Sequence, residues 1–393
     1  MSADGPILAL NAGSSSLKFA LFNPADQTAL RGAIENMDDQ PHLLARDAAG
    51  AVVAERHWPA GAAPPFADLV EALMTLVETQ LGAKSLAGVG HRVVNGGADH
   101  MAPARITPTL LRELEALTPL DPLHMPHSLA PMRTIAKARP DLAQVACFDT
   151  AFHRTMPTVA SRIAVPRGLW AKGVRRYGFH GLSYDYIAGP LKVVAPDLAR
   201  GRVIVAHLGA GASLCALLNL TSIATTMGFS ALDGLVMATR CGSLDPGVIL
   251  YLARQGRTVA EIETMLYQES GLLGVSEISG DMRVLMASDD PRAREAIELF
   301  TYRLATEAGG LVSALGGLDG LVFTAGVGEN APAVRAEICT RLAWLGLELD
   351  AAANAAGERR ISTPASRIDV RVIPTDEEAM IARQTLATLG RTS

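Results

Sequence analysis

The feature that most limits how this chain can fold is a repeated strand–turn–strand unit. Apolar Ile7-Leu-Ala-Leu10 runs into the turn Asn-Ala-Gly-Ser-Ser-Ser16, and a second run, Lys18-Phe-Ala-Leu-Phe22, leaves it. About half a chain later, Val203-Ile-Val-Ala-His-Leu-Gly-Ala-Gly-Ala-Ser-Leu-Cys-Ala-Leu217 has the same layout to within a one-residue shift. A third small-residue turn, Ala325-Gly-Val-Gly-Glu-Asn330, follows apolar Leu321-Val-Phe-Thr324. Residues without bulk let backbone N–H groups approach a ligand, and Lys18 adds the charge that a phosphate needs. A single turn of this kind is an ordinary hairpin. Three of them, each at the end of an apolar strand, point to a nucleotide clamped between two similar halves.

Elsewhere strand-like and helix-like runs alternate, which indicates α/β architecture. A further strand is expected at Val370–Ile373, and helices at Phe66–Leu81, Pro108–Leu117, Arg292–Leu315 and Glu377–Leu389. Thr107-Pro108 has the form of an N-cap ahead of a first-turn proline. Residues 36–65 show no clear period and read as a peripheral elaboration. A chain of 393 residues exceeds one simple core and suits two domains.

The net charge of -5 offers no basic excess to neutralise phosphodiesters, so nucleic acid is not the expected partner. No apolar run reaches the roughly 18 residues of a membrane helix, and no export signal precedes the first strand. The scattered cysteines (Cys147, Cys215, Cys241, Cys339) read as reduced thiols of a cytoplasmic protein. No zinc-type or EF-hand pattern occurs, so a metal should arrive with its substrate.

Further segments join the three turns: Gly90-His-Arg-Val-Val94, Leu123-His124, Phe148-Asp-Thr-Ala-Phe-His153, Arg176-Tyr-Gly-Phe-His-Gly181, Thr239-Arg-Cys-Gly242, Ser279-Gly-Asp-Met-Arg283 and Ile373-Pro-Thr-Asp-Glu-Glu378. Together they resemble the acetate kinase family, within the acetate and sugar kinase, Hsp70 and actin fold group. The likeness runs nearly end to end. It implies two actin-like (ribonuclease H-like) domains with a nucleotide cleft between them. The first would span 1–150, completed by the C-terminal helix 377–393, and the second, nucleotide-binding domain 151–376. It implies reversible transfer of the ATP γ-phosphoryl to acetate, with Mg2+ (or Mn2+) as cofactor and a homodimer as the working unit. The rivals within the class are a propionate or butyrate kinase and a pyrophosphate-using relative. The rival from another class is a catalytically weakened nucleotide-binding switch.

Acetate is ionised near neutral pH, so little proton removal is required. The difficulty is to bring two anions together in line, which calls for cations and aligned donors. By resemblance, Arg92 grips the acyl carboxylate, Arg240 stabilises the transferring phosphoryl, and His180 donates to it. Val94, Leu123, His124, Phe179 and Ala231 would line the acyl site. Ser14, Ser16 and Lys18 would face the phosphates, with His207, Leu208, Gly209, Ala210 and Gly211 as the second phosphate turn. Asp281, Met282 and Arg283, with Gly326, Val327, Gly328, Glu329 and Asn330, would contact the nucleoside. Asp149 is expected to orient an arginine or a metal-bound water rather than to shuttle a proton. Asn11 and Glu377 are the expected metal ligands. Thr375-Asp-Glu-Glu378 fits a helix capping box, which would occupy Glu378 and leave Glu377 for the ion. His42, His57 and His100 lie outside these motifs and read as surface residues.

The chain departs from the family pattern at three positions. Ala210 replaces the asparagine usual in the second phosphate turn. A lost hydrogen bond to a charged group costs on the order of 1.5–3 kcal/mol, so a weaker grip on the nucleotide or another phosphoryl donor is expected. Ala238 replaces a glycine before Thr-Arg. Ala231 replaces the proline beside the acyl methyl, which leaves room for propionate.

Overall fold

A computed structural model describes residues 5–13, 15–61 and 63–390. Its contacts divide the chain into two compact units. One runs to Phe152 and is completed from Asp376 onward; the other is His153–Thr375.

The first unit is built on a sheet that has eight strands among the described residues: β1 (Ile7–Ala12), β2 (Leu17–Phe22), β3 (Thr28–Glu35), β4 (His42–Asp47), β5 (Val52–His57), β6 (Gly88–Val93), β7 (Ala104–Arg105) and β8 (Gln144–Phe148). They lie in the order β5-β4-β3-β2-β1-β6-β8-β7. β1 pairs antiparallel with β2 and parallel with β6, and β6 pairs parallel with β8. The second sheet has five strands among those residues, β9 (Arg202–Leu208), β10 (Ala212–Leu218), β11 (Thr221–Thr225), β12 (Gly320–Thr324) and β13 (Asp369–Val372). Their order is β11-β10-β9-β12-β13. It repeats the β3-β2-β1-β6-β8 core of the first, antiparallel on the hairpin side and parallel on the other. The one-residue shift between the sequence repeats is a turn difference: residues 13–16 link β1 to β2, whereas 209–211 link β9 to β10.

Each face of the first sheet is covered by a helix whose apolar residues share one side. In Phe66–Leu81, Leu69, Val70, Leu73, Met74 and Val77 are buried, a spacing that puts them on one stripe. The helix Pro108–Ala116 starts where Thr107 Oγ1 accepts from the Leu110 N–H at 3.1 Å. The C-terminal helix Glu377–Thr388 packs against β1, β6 and β8. Gly90 makes that close approach feasible. A Cβ there would sit 2.2 Å from Thr385 Oγ1 and 2.6 Å from Ile381 Cγ2. In the second unit the helix Pro291–Leu315 packs on β9, β10 and β11, begins at the Asp290 cap and ends at left-handed Gly316.

Residues 36–65, expected as a peripheral elaboration, supply β4 and β5 at one edge of the sheet. Their signal is weak because an outer strand buries only alternate residues; Leu43 and Ala45 face the core while Leu44 is half-exposed. The third small-residue turn is a short helix, Ala325–Asn330, entered through a left-handed Ala325 with φ 64°. No helix among the described residues is long and apolar enough to cross a membrane.

Candidate functional site

The first unit gathers charged groups at the ends of its central strands. Arg92, near the end of β6, lies one strand away from Asp149, which directly follows β8. Carboxyl ends of parallel strands are where ligands bind in open α/β sheets. Arg92 Nε and Nη2 donate to Asp149 Oδ2 at 2.9 and 2.7 Å, and Nη1 donates to Asn11 Oδ1 at 3.1 Å. Asn11 Nδ2 donates in turn to Glu377 Oε2 at 2.9 Å and Glu378 Oε1 at 3.2 Å. Asp149 is fully buried, and its second oxygen has no hydrogen-bond partner.

Three carboxylates thus lie around one half-buried arginine. Burial works to lower the Arg92 pKa, but the attraction of Asp149 and Glu377 outweighs it and holds the guanidinium charged. Burial pushes the Glu377 carboxyl above its ordinary range, against the pull of Arg92. Glu378 moves the same way, by burial and then by repulsion from Glu377. Such an oxygen-rich set with an orphaned carboxylate oxygen suits Mg2+, which keeps waters and needs few protein contacts. Lys18 is exposed on β2, paired by register with Asn11. Ser16 is half-buried, and its carbonyl closes the turn by accepting from Gly13 N–H at 2.8 Å. Ser14 lies outside the described residues.

The capping box expected at Thr375 does not form. Asp376 is the N-cap and accepts from Ala379 N–H at 2.9 Å. Aspartate caps a helix as well as threonine, and Asp376 is also paired with Arg31. Thr375 instead shares a 2.8 Å hydroxyl–hydroxyl bond with Ser183. Glu378 is therefore not consumed by a cap, and it reaches Asn11 beside Glu377. Glu378 is the residue that the local argument missed; its only sequence signal is its adjacency to Glu377.

Val94 is buried and Leu123 half-buried in the same unit, where His124 Nδ1 pairs with buried Asp121 at 2.8 Å. His91, beside Arg92, is buried against Gln144 at 2.7 Å. Burial pushes its pKa down to about 4, so it is a neutral core histidine.

The second unit brings together His180, His207, Gly211 and Arg240. His180 precedes the helix Gly181–Val194 in a left-handed conformation, φ 58°. Its Nδ1 bonds with Ser213 Oγ at 2.8 Å, and its ring stacks on His207 at 4.1 Å between centroids. His207 Nδ1 bonds with Ser183 Oγ at 2.8 Å. With both Nδ1 atoms held, His180 Nε2 is directed toward the hairpin turn. A Cβ on Gly211 would lie 3.2 Å from that nitrogen and 3.8 Å from Arg240 Nη1. Gly211 therefore keeps open a space onto which an imidazole and a guanidinium both border. Arg240 Nη1 also donates to the carbonyl of buried Ala231 at 3.2 Å, and Phe179 is fully buried one residue before His180.

A cavity of about 830 Å3 opens next to the same turn, within the range of small-molecule sites. Gly209, Ala210, Asp281, Met282, Arg283, Gly326, Val327 and Asn330 line it, as does Ala238. Leu272, Met286 and Phe300 add apolar walls that no motif announced. Asp281 caps its short helix and pairs with Arg283 at 2.6 Å. Leu208, Gly328 and Glu329 are not in the lining. Leu208 and Gly328 are buried, and Glu329 Oε1 accepts from the Ala325 and Thr375 N–H groups at 2.7 and 3.1 Å.

The acetokinase family model matches residues 6–383. An acetate kinase of Rhodopseudomonas palustris is 53% identical over 96% of both chains. One of Rhizobium meliloti is 48% identical over 98% of both. Among solved structures, a propionate kinase from Francisella tularensis superimposes with a TM-score of 0.89 at 38% identity, covering 97% of this chain and 98% of that one. An acetate kinase from Porphyromonas gingivalis gives 0.86 at 35% identity, covering 98% of this chain and all of its own.

Proposed function

This chain belongs to the acetokinase family, and on that premise we propose how its residues divide the work of the reaction. The fold is the two-domain actin-like one, and the enzyme is a phosphotransferase with a carboxyl acceptor. It transfers the ATP γ-phosphoryl reversibly to acetate, giving acetyl phosphate and ADP.

Arg92 holds the acid. Its guanidinium has five N–H donors, and three of them serve Asp149 and Asn11, which leaves two for a substrate carboxylate. Asp149 fixes the plane of that fork. A carboxylate already ionised needs no base, so Asp149 is a positioning residue. Arg240 and His180 supply donors to the phosphoryl in transit, in the space that Gly211 leaves open. The Gly209–Gly211 backbone takes the nucleotide phosphates, and the adjoining cavity takes the nucleoside. Asn11, Glu377 and Glu378 would hold Mg2+, which when bound neutralises phosphate charge.

The observation that carries this reading is the Arg92–Asp149–Asn11–Glu377 chain of contacts, since a nucleotide-binding switch has no use for an acid-binding arginine held by a fully buried carboxylate. The test is the purified protein with Mg2+, hydroxylamine to trap acyl phosphate, and a matrix of acids against ATP, GTP and pyrophosphate. Hydroxamate from acetate and ATP is expected; none from any pair would refute the assignment. Ala231 favours a second substrate. It is buried and its carbonyl contacts Arg240, so a proline there would reclaim space beside that guanidinium. One extra buried methylene contributes about 0.8 kcal/mol, so A231P should lower the propionate-to-acetate ratio of kcat/KM by about fourfold. An unchanged ratio would remove this reading.

The working unit is a homodimer. The helix Pro246–Arg254 has no buried residue and exposes Val248, Ile249, Leu250 and Tyr251, an apolar patch suited to a second copy. Sedimentation should give a dimer that Y251D dissociates; a wild-type monomer at micromolar concentration would contradict it. Reduced thiols and an ATP substrate fit the cytoplasm. Burial pushes Cys147, Cys215 and Cys339 up to about 12, which keeps them protonated and unreactive.

A further inference from the structure

Away from the phosphoryl chemistry, the open end of the β4–β5 hairpin groups three metal-competent side chains. His42 opens β4 and pairs by register with His57, which closes β5; the next pair on the same face is Leu44 with Glu55. The imidazoles stack at 4.0 Å with 7° between their planes. His42 Nε2 lies 3.0 Å and His57 Nε2 3.3 Å from the same oxygen, Glu55 Oε1. One ligand atom from each residue lies within 4.8 Å of the other two. Metal–nitrogen bonds of 2.0–2.1 Å in a tetrahedron put neighbouring ligand atoms about 3.3 Å apart, so two edges of such a site are already near length.

We propose that His42, Glu55 and His57 form a binding site for a divalent transition-metal ion at the edge of the first unit's sheet. The donor set is two imidazoles and one carboxylate. That combination selects zinc, nickel or copper over magnesium or calcium, which prefer oxygen alone. The site is thus chemically distinct from the oxygen set around Glu377. Its frame is rigid. Leu43 and Ala45, on the opposite face of β4, are buried in the core, and Trp58 N–H donates to the Pro41 carbonyl at 2.9 Å just beyond the histidines. Its entrance is solvent, since the His57 side chain is 69% exposed. Glu35 pairs by register with His42 and stands on the same face as a further carboxylate. An ion here would join the first residue of β4 to the last of β5. It would close the hairpin at the end opposite its turn and pin an edge strand.

The test uses the full chain, stripped with chelator and titrated with Co2+ and then Zn2+, with Mg2+-ATP turnover measured in parallel. One equivalent of Co2+ should bind with tetrahedral-type ligand-field absorption, and Zn2+ should displace it and raise the melting temperature. H57A removes an exposed side chain, so it should keep wild-type turnover in metal-free buffer. It should lose at least tenfold in affinity, and with it the thermal shift. E55Q should weaken binding while leaving the histidines. Affinity unchanged in H57A, or less than one equivalent bound by wild type, would overturn the proposal. Binding that inhibits turnover and survives H57A would place the ion at the His180–His207 pair and would equally overturn it.

Discussion

Arg92→Ala is expected to abolish useful turnover and to cost about 3–5 kcal/mol of stability, the penalty typical of stripping one partner from a buried ion pair. The asymmetry of the pair is the reason. Asp149 is fully buried and receives two of its bonds from Arg92, with no other partner for its second oxygen. Removing the guanidinium leaves Asp149 charged without compensation, beside Glu377 and Glu378. Two measurements separate the structural effect from the catalytic one. In urea unfolding, the R92A/D149A double variant should lose less than the sum of the single losses, because the second change removes the stranded charge. In kinetics, Arg92→Lys should recover part of the stability, yet keep a raised KM for acetate, because an ammonium cannot grip two carboxylates as a planar fork does. A wild-type acetate KM in R92K would show that Arg92 does not touch the acid.

Arg240→Ala should act on turnover: a fall in kcat of roughly 10^3-fold. Donors aimed at charge developing on a phosphoryl group are worth that much, and they act on the transition state more than on bound ATP. Arg240 is half-buried, and its Nη1 donates to the Ala231 carbonyl and approaches the Met237 sulfur, which aims the guanidinium at the space beside Gly211. The KM for ATP should move little. The fall in kcat/KM must appear equally for acetyl phosphate with ADP, since no variant changes the overall equilibrium. A kcat within tenfold of wild type would assign the phosphoryl charge to His180 and the hairpin backbone instead.

What could be read without coordinates was local. β1, β9 and β12 read as near-continuous apolar runs because they are central strands, buried on both faces, and β2 does so beyond its exposed Lys18. The helix Phe66–Leu81 declares itself by its stripe, and Thr107 by its chemistry as a cap. The edge strands were less legible, since half-burial dilutes their alternation. The N-cap of the C-terminal helix was hidden for a related reason. Thr375 and Asp376 are both competent caps, and what separates them is non-local: Ser183 engages the first and Arg31 the second.

The sequence alone therefore determined the duplicated hairpins, the α/β class and the family, because each rests on residue types at short, contiguous spacing. Tertiary structure decided which carboxylates meet Asn11, that Arg92 is neutralised by Asp149, and that two histidines and a glutamate share one face of an edge hairpin. Those contacts join residues brought together only by strand register and helix packing. The energy that fixes them comes from burying apolar faces elsewhere, which no short segment records.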